Sequence, residues 1–339
     1  MTTEQLQGEL NKNPFLLAPM AGITDRAFRS FMRGMGCGAV ITELVSATGL
    51  KYSSDKTRRL MEFDSSQHPV GIQIFGEELE HLSYAAKEIE QMGADFVDLN
   101  FGCPVAKVVK KGAGSAVLRD LVLVRDVFRA VKSATSIPVT VKVRTGWDEQ
   151  SRNTPDVAQV AADEGLAWVA IHGRTRAQGY SGRSDWDYIQ KVKAGSPLPV
   201  IGNGDIVTAA QAVARIETSG VNAVMIGRGC LKNPWIFQEA MALHEGREIK
   251  IERDFIQSFA QLESHLQMHS SERIVTLQLR KFAAWFSAGY PNASVLRKQI
   301  FADAPLTELR QKIYDFFGPL SGFKPEDTSN EPFLMGGHG

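Results

Sequence analysis

The chain contains few of the features that mark special classes of protein. Only three of its 339 residues are cysteines, at positions 37, 103 and 230, and this odd, widely spaced set argues against a disulfide framework or a zinc cluster. No apolar run approaches the roughly 18 residues of a membrane span, and residues 1–10 are too polar for a signal peptide. Neither sign of charge is in excess, since 38 basic residues balance 38 acidic ones. We therefore expect a cytoplasmic protein without a membrane segment, in which only local charge clusters bind nucleic acid.

What the chain does contain is a repeated alternation of short apolar runs with amphipathic segments. Eight such runs, expected as strands, lie at residues 15–19, 39–43, 70–75, 96–100, 139–144, 168–172, 198–202 and 223–227. This alternation predicts parallel strands joined by crossover helices, and eight units in about 230 residues fit an α/β protein of the (β/α)8 TIM-barrel class. An open doubly wound sheet is less well supported, because no glycine fingerprint follows the first strand.

The pattern changes in the last third of the chain. Helical periodicity covers residues 255–268, 274–286, 293–301 and 306–317, and no strand-like run interrupts it. We expect a catalytic barrel at residues 1–243 and a small all-α C-terminal domain at 244–320. The end of the chain, 321–339, is rich in Gly, Pro, Asn and Ser, which predicts a flexible tail.

Polar or glycine-rich groups stand at the C-terminal ends of nearly all predicted strands, where barrel enzymes carry their functional residues. In chain order these are Pro19, Met20, Ala21, Glu43, Gln73, Asn100, Cys103, Lys142, Arg144, His172, Arg174, Asn203, Gly204, Asp205, Gly227 and Arg228. Any one of them could be a capping residue, but together they favour a site for a polar cofactor. The glycine-rich turns at 201–205 and 226–230 are typical of the barrel phosphate site, so the cofactor is expected to carry a terminal phosphate.

Two of these residues leave alternative chemistries open. Cys103 follows a strand in Asn-Phe-Gly-Cys-Pro and precedes a basic loop, so it is either a reactive thiol or a small residue packed under a turn. Lys142 is suited to a Schiff base with pyridoxal phosphate, or to standing as a cation beside reduced FMN.

Six segments together resemble the tRNA-dihydrouridine synthases, and most closely the bacterial branch of that family. They are Ala-Pro-Met-Ala-Gly-Ile-Thr-Asp at 18–25, Asp-Leu-Asn-Phe-Gly-Cys-Pro at 98–104, Lys-Val-Arg-Thr-Gly-Trp at 142–147, His-Gly-Arg-Thr-Arg at 172–176, Asn-Gly-Asp at 203–205 and Gly-Arg at 227–228. The helical segment Leu-Arg-Lys-Phe-Ala-Ala-Trp at 279–285 also fits. The resemblance implies reduction of uridine in tRNA to 5,6-dihydrouridine, with FMN as cofactor and NADPH as electron donor.

The resemblance also implies roles for individual residues. Cys103 would be the general acid that protonates uracil C5 after hydride from flavin N5 has reached C6. The flavin contacts carried over by position are Pro19, Met20, Ala21, Gln73, Lys142, His172, Asn203, Gly204, Asp205, Gly227 and Arg228. Substrate contacts are expected at Asn100, Arg144, Arg174, Tyr180, Lys107, Arg280 and Lys281. No metal ion and no obligate protein partner are expected.

Although the chain has no net charge, three of its segments are locally basic. Windows at 104–119, 172–183 and 273–302 contain several basic residues and no acid, which predicts a basic cleft for tRNA between the barrel mouth and the helical domain.

Three other hypotheses for the function are a dihydroorotate dehydrogenase-like FMN barrel acting on a free pyrimidine, a class I aldolase using Lys142, and a non-enzymatic tRNA-binding factor. The basic windows and helical domain argue against the first, and the intact Cys103 with its flavin-type strand ends argues against the last.

Overall fold

Parallel strands form a single sheet that rolls into a barrel in the computed structural model, which describes residues 1–52, 54–302, 304–320, 322–323 and 325–326. The strands are β1 (Phe15–Leu17), β2 (Val40–Ile41), β3 (Val45–Ser46), β4 (Val70–Phe75), β5 (Phe96–Phe101), β6 (Val139–Arg144), β7 (Val169–His172), β8 (Val200–Asn203) and β9 (Ala223–Ile226). Their hydrogen-bonded order is β1-β9-β8-β7-β6-β5-β4-β2, with β3 beside β4. The Leu17 N–H donates to the Ala39 carbonyl at 3.0 Å and closes the ring. The predicted TIM barrel is confirmed.

Helices follow the strands around the outside of the barrel and then continue alone. They are α1 (Thr3–Lys12), α2 (Arg26–Gly34), α3 (Ala47–Lys51), α4 (Asp55–Met61), α5 (Leu79–Gln91), α6 (Ala106–Val109), α7 (Leu121–Ala134), α8 (Thr154–Asp163), α9 (Trp186–Gly195), α10 (Ala209–Ser219), α11 (Gly229–Lys232), α12 (Ile236–His244), α13 (Phe255–His269), α14 (Glu272–Phe286), α15 (Ala293–Ile300) and α16 (Leu306–Phe317). No helix among the described residues is long and apolar enough to cross a membrane.

The predicted strands and helices are present because their side-chain periodicity matches their burial. Helix α7 illustrates this: the Asp120 carboxylate accepts hydrogen bonds from the N–H groups of Val122 and Leu123, and its apolar residues at spacings of three and four are buried. The sequence did not predict β3, since two residues carry no periodic pattern. It also treated residues 1–10 only as polar, whereas they form most of α1.

Helix α1 closes the N-terminal end of the barrel. Leu6 and Leu10 are buried with the inward-facing residues Leu16, Phe96 and Trp168 in one apolar cluster. Because side chains alternate between the two faces of a strand, this inward row continues along the strands towards the other end. There it becomes polar, so the lumen is apolar at the bottom and polar at the mouth.

The four predicted C-terminal helices are confirmed as α13 to α16. They pack around phenylalanines, with the rings of Phe259 and Phe317 4.9 Å apart, and Phe282 stacks on Phe28 of α2 at 4.8 Å. The region therefore rests on the barrel through buried aromatic contacts. The boundaries at residues 243 and 320 stay a prediction, and the tail proposed for 321–339 lies almost entirely outside the described residues.

Candidate active site at the barrel mouth

The C-terminal ends of the strands surround a cavity of about 1100 Å³. Sixteen of the predicted site residues line it: Pro19, Met20, Ala21, Gln73, Asn100, Cys103, Lys142, Arg144, His172, Arg174, Tyr180, Asn203, Gly204, Asp205, Gly227 and Arg228. They lie together because parallel strands bring equivalent positions to one rim. The cavity also takes in residues that the sequence did not single out, among them Ser184, Gln211, Arg215 and Lys232.

Cys103 is half-buried at one side of this cavity, in the turn after β5. Its backbone N–H donates to the side-chain oxygen of Asn100 at 2.8 Å, and its carbonyl accepts from the Ser115 hydroxyl at 2.8 Å. Gly114 completes the turn in a left-handed conformation (φ 61°), where an added Cβ would lie 3.0 Å from the Cys103 carbonyl oxygen. These backbone contacts fix the turn without using the proton of the thiol.

The Cys103 thiol holds its proton more firmly than an exposed thiol does. Burial raises the pKa of Cys103, while the Val105 N–H and the Arg144 charge oppose that change. A protonated thiol at neutral pH is a proton donor and not a nucleophile, since nucleophilic attack needs the thiolate. The site therefore suits acid catalysis better than covalent catalysis.

A buried carboxylate that the sequence analysis did not select lies beneath the turn. Asp98 is fully buried and accepts from the Thr140 hydroxyl at 2.6 Å and from Gln73 Nε2 at 2.7 Å. Gln73 Oε1 in turn accepts from Asn100 Nδ2 at 2.7 Å. Burial raises the pKa of Asp98 to about 6, against the lowering effects of Thr140, Gln73 and Lys142. A charged residue at an inward strand position was the signal that could have identified it.

Lys142 is a nearly buried cation (9% exposed) that donates to no described residue. Burial and, to a smaller extent, the Arg144 charge lower the pKa of Lys142 to about 8, against the raising effect of Asp98. An ammonium group in this position is unfavourable without an anionic partner. The cavity is therefore electrostatically prepared for an anion beside Lys142.

Two arginines at the mouth hold loops in place. Arg144 donates to the carbonyls of Gly102, Thr175 and Gly179 at 2.7–2.9 Å, which ties the turn after β5 to the loop after β7. Arg174 pairs with Asp205 at 2.9 Å. Both arginines are almost completely buried, so their predicted contact with substrate phosphates stays a prediction.

His172 lies among these cations. Burial lowers the pKa of His172 well below its ordinary value, and the charges of Lys142, Arg144, Arg174 and Arg228 act in the same direction. The imidazole is therefore neutral at pH 7 and offers one donor and one acceptor. It cannot add positive charge to the site.

The turn after β8 has the geometry of an anion site. Gly204 has φ 128° and Asp205 φ 53°, and an added Cβ on Gly204 would lie 2.0 Å from the Ser184 hydroxyl oxygen. The backbone N–H groups of Gly204 and Asp205 donate to no other described residue. Gly204 is buried against the cavity, so its N–H needs an acceptor from a ligand or water. A phosphate supplies such an acceptor.

Tyr180 lines the cavity from the loop after β7. Its ring centroid lies 5.7 Å from the Arg144 guanidinium carbon and 5.2 Å from that of Arg228. The side chain is 54% exposed, so a planar group entering the cavity can meet its ring. Stacking on a base stays a prediction.

Three predicted substrate residues lie outside the cavity. Lys107 is exposed on α6. Lys281 donates to the Gly22 carbonyl at 3.1 Å, and Arg280 donates to the Ala304 carbonyl at 3.1 Å. The Lys281 contact links α14 to the loop after β1, so it holds the helical region against the mouth whether or not it also meets RNA.

Comparisons with known proteins agree with the motifs. The sequence model of the family described as Dihydrouridine synthase (Dus) matches residues 16–316. tRNA-dihydrouridine synthase B of Pseudomonas putida is 38% identical over 300 residues, covering 86% of this chain and 87% of the relative. A probable tRNA-dihydrouridine synthase of Rickettsia conorii is 35% identical over 316 residues, covering 91% and 94%.

Solved structures share the fold at much lower identity. Histamine dehydrogenase from Rhizobium sp. 4-9 has a TM-score of 0.51 at 15% identity, covering 77% of this chain and 50% of that one. An amine oxidase for 6-hydroxypseudooxynicotine from Pseudomonas geniculata N1 has a TM-score of 0.52 at 16% identity, covering 69% and 48%. The chain thus spans about half the length of these two proteins, and the likeness extends to the fold alone. The family match over most of the chain and the close relatives carry the stronger conclusion: the chain belongs to the dihydrouridine synthase family.

Proposed function

We propose that the protein reduces uridine in tRNA to 5,6-dihydrouridine, with FMN bound in the barrel mouth and NADPH as electron donor. Family membership supports the reaction, the tRNA substrate and a flavin cofactor. The observation that carries the proposal is one cavity that holds a protonated thiol, a buried unpaired lysine and a glycine-rich turn with a free N–H. Activity on tRNA implies action in the cytoplasm.

FMN fits the residues that are present. The Gly204 and Asp205 N–H groups and Arg228 would hold its phosphate, and Lys142 would hold the edge of the ring that becomes negative on reduction. Pro19, Met20 and Ala21 would line the ring from the loop after β1. When bound, FMN supplies the hydride chemistry that no side chain can provide.

The protein's own residues complete the reduction. Hydride addition at uracil C6 breaks the C5=C6 double bond and leaves an enolate whose charge rests on the carbonyl oxygen. The Cys103 S–H then transfers its proton to C5, and the resulting thiolate lies near Arg144, whose charge favours it. Solvent reprotonates the thiolate, so each turnover consumes one hydride and one proton.

The visible spectrum and a single anaerobic experiment test this proposal. Purified protein should show flavin absorption, NADPH should bleach it, and unmodified tRNA should then restore it in the absence of oxygen. Orotate is the oxidised form of dihydroorotate. Reoxidation of the reduced flavin by orotate in place of tRNA would favour the free-pyrimidine alternative. A protein that cannot be loaded with FMN would favour the binding-factor alternative. Replacing NADPH by NADH in the first step measures the donor preference.

The RNA surface is proposed on the barrel rim and the helical region. Lys107, Lys110 and Lys111 are exposed beside the Cys103 turn. Further along the rim, the guanidinium carbons of Arg119 and Arg176 lie 5.0 Å and 4.3 Å from the Trp147 ring centroid. Neither arginine forms an ion pair with a described residue. Stacking on the indole orders the two guanidinium groups, which suits contact with phosphates.

Removing both stacked arginines should weaken tRNA binding. We expect Arg119→Ala with Arg176→Ala to lower tRNA affinity several-fold at about 0.1 M salt, and to reduce the slope of log affinity against log salt by about 2. Titrations of labelled tRNA across a salt series measure both quantities. The charge-matched control is Lys87→Ala with Lys191→Ala, which removes two exposed cations from α5 and α9 on the outer surface. An equal loss in the control pair would contradict a specific site.

A further inference from the structure

A directional chain of hydrogen bonds runs from the barrel lumen to the Cys103 turn. Its links are Thr140 to Asp98 at 2.6 Å, Gln73 to Asp98 at 2.7 Å, Asn100 to Gln73 at 2.7 Å, and the Cys103 N–H to Asn100 at 2.8 Å. The strand register places Gln73, Asp98 and Thr140 side by side on β4, β5 and β6. The chain therefore lies across three neighbouring strands and ends at the acid catalyst.

The groups at the two ends of this hydrogen-bond chain allow its amides only one orientation. A backbone N–H can only donate, so Asn100 must turn its oxygen towards Cys103. An ionised carboxylate can only accept, so Gln73 must turn its nitrogen towards Asp98. Asn100 and Gln73 then match each other, nitrogen to oxygen. A flip of either amide would place two oxygens or two N–H groups in contact, at the cost of buried unsatisfied groups.

This direction also decides what the amides offer to a ligand. Each amide nitrogen has a second hydrogen, and neither second hydrogen has an acceptor among the described residues. Both residues line the cavity. The cavity wall therefore presents two N–H donors here, which suit the carbonyl oxygens of a flavin or a uracil and the enolate charge of the reaction.

We propose that Asp98 is a positioning residue that sets the direction of this chain, and so fixes both the Cys103 turn and the donors that Gln73 and Asn100 turn into the cavity. The proposal rests on the proposed function for its chemistry, but the arrangement itself involves only the protein. Asp98 touches neither substrate nor cofactor, because Gln73 and Asn100 lie between it and the cavity. It acts through them.

Placing a carboxylate at residue 100 of the hydrogen-bond chain tests whether Asp98 sets its direction. In Asn100→Asp, an oxygen of residue 100 faces the Gln73 oxygen, and turning Gln73 round brings its oxygen against Asp98. We expect a lower melting temperature and alkylation of Cys103 by iodoacetamide at least about tenfold faster in cofactor-free protein, because the turn loosens. A Cys103→Ala blank accounts for the buried Cys37 and Cys230.

Adding Asp98→Asn to Asn100→Asp should restore what the single change loses. An asparagine at 98 can donate to the reversed Gln73 and accept from Thr140. All four links are then made again, and only the two links that involve Gln73 run in the opposite direction. The alkylation rate should return to within about twofold of the wild-type rate, and the melting temperature should return towards that of the wild type. Uridine reduction should stay low, since an aspartate at 100 has no N–H for the cavity.

Asp95→Asn is the matched control for the second change. Asp95 is another buried carboxylate of the same strand region, but it contacts His68 and the Val70 N–H at the other end of the barrel. The Asp95→Asn change removes one buried negative charge, as Asp98→Asn does, and it should not rescue Asn100→Asp. Recovery of folded protein by Asp98→Asn, where the single variant does not fold, is the same supporting result. Additive losses, or equal rescue by Asp95→Asn, would overturn the proposal; neither readout depends on FMN or tRNA, so a failure of the proposed function remains distinguishable.

Discussion

Replacing Cys103 with alanine should remove nearly all uridine reduction while FMN and tRNA remain bound. A positioned general acid contributes about 10²–10⁴-fold to rate, and no other protonated acid lies at this turn among the described residues. Single-turnover reoxidation of the reduced flavin by tRNA measures the loss directly. The expected loss lies in the rate after binding, and not in the affinity for either ligand.

Binding should survive because two backbone groups of residue 103 hold the turn. The Cys103 N–H and carbonyl make the contacts to Asn100 and Ser115, and alanine keeps both backbone groups. The flavin spectrum and a tRNA titration check this. Cys230→Ala is the control, since that thiol is fully buried in α11. Wild-type turnover by Cys103→Ala would show that another group, or water, delivers the proton.

The sequence predicted the members of the site better than their contacts. Strand ends such as Gln73, Lys142 and Gly204 could be selected because a barrel brings them to one rim whatever the details of packing. Arg144 was selected in the same way, but its three carbonyl partners belong to loops after two other strands. Loop conformation depends on tertiary contacts that no local pattern records.

Asp98 was missed for a related reason. On an inward strand position its neighbours come from β4 and β6, and only the register shows that Gln73 and Thr140 lie beside it. Lys281 shows the opposite difficulty. It was chosen as a basic residue for RNA, yet its nearest partner is a carbonyl in the loop after β1. A charge count alone does not separate a contact within the fold from a free surface charge.

Replacing Lys142 with methionine should impair flavin reduction while making the cofactor-free protein more stable at neutral pH. Methionine is close to lysine in length but carries no charge, so it removes the cation that would stabilise the negative charge of reduced FMN. The loss of one such electrostatic contact is worth about 10²–10³-fold. Stopped-flow reduction by NADPH measures the rate, and a redox titration should show a lower flavin potential.

The stability prediction follows from the lowered pKa of Lys142. That pKa is about 8 in the folded protein against 10.5 for the free side chain, so between these pH values the unfolded chain binds more protons. Wild-type stability should therefore rise with pH across that interval, by on the order of 3 kcal/mol, and the Lys142→Met variant should lack this rise. Urea unfolding of both cofactor-free proteins at pH 7 and above 10 measures the difference, with the exposed Lys87→Met as control. If Lys142→Met were less stable than the wild type at pH 7, the lysine would stabilise the cofactor-free fold. Its proposed role as a cation that lacks an anionic partner until the cofactor binds would then fail.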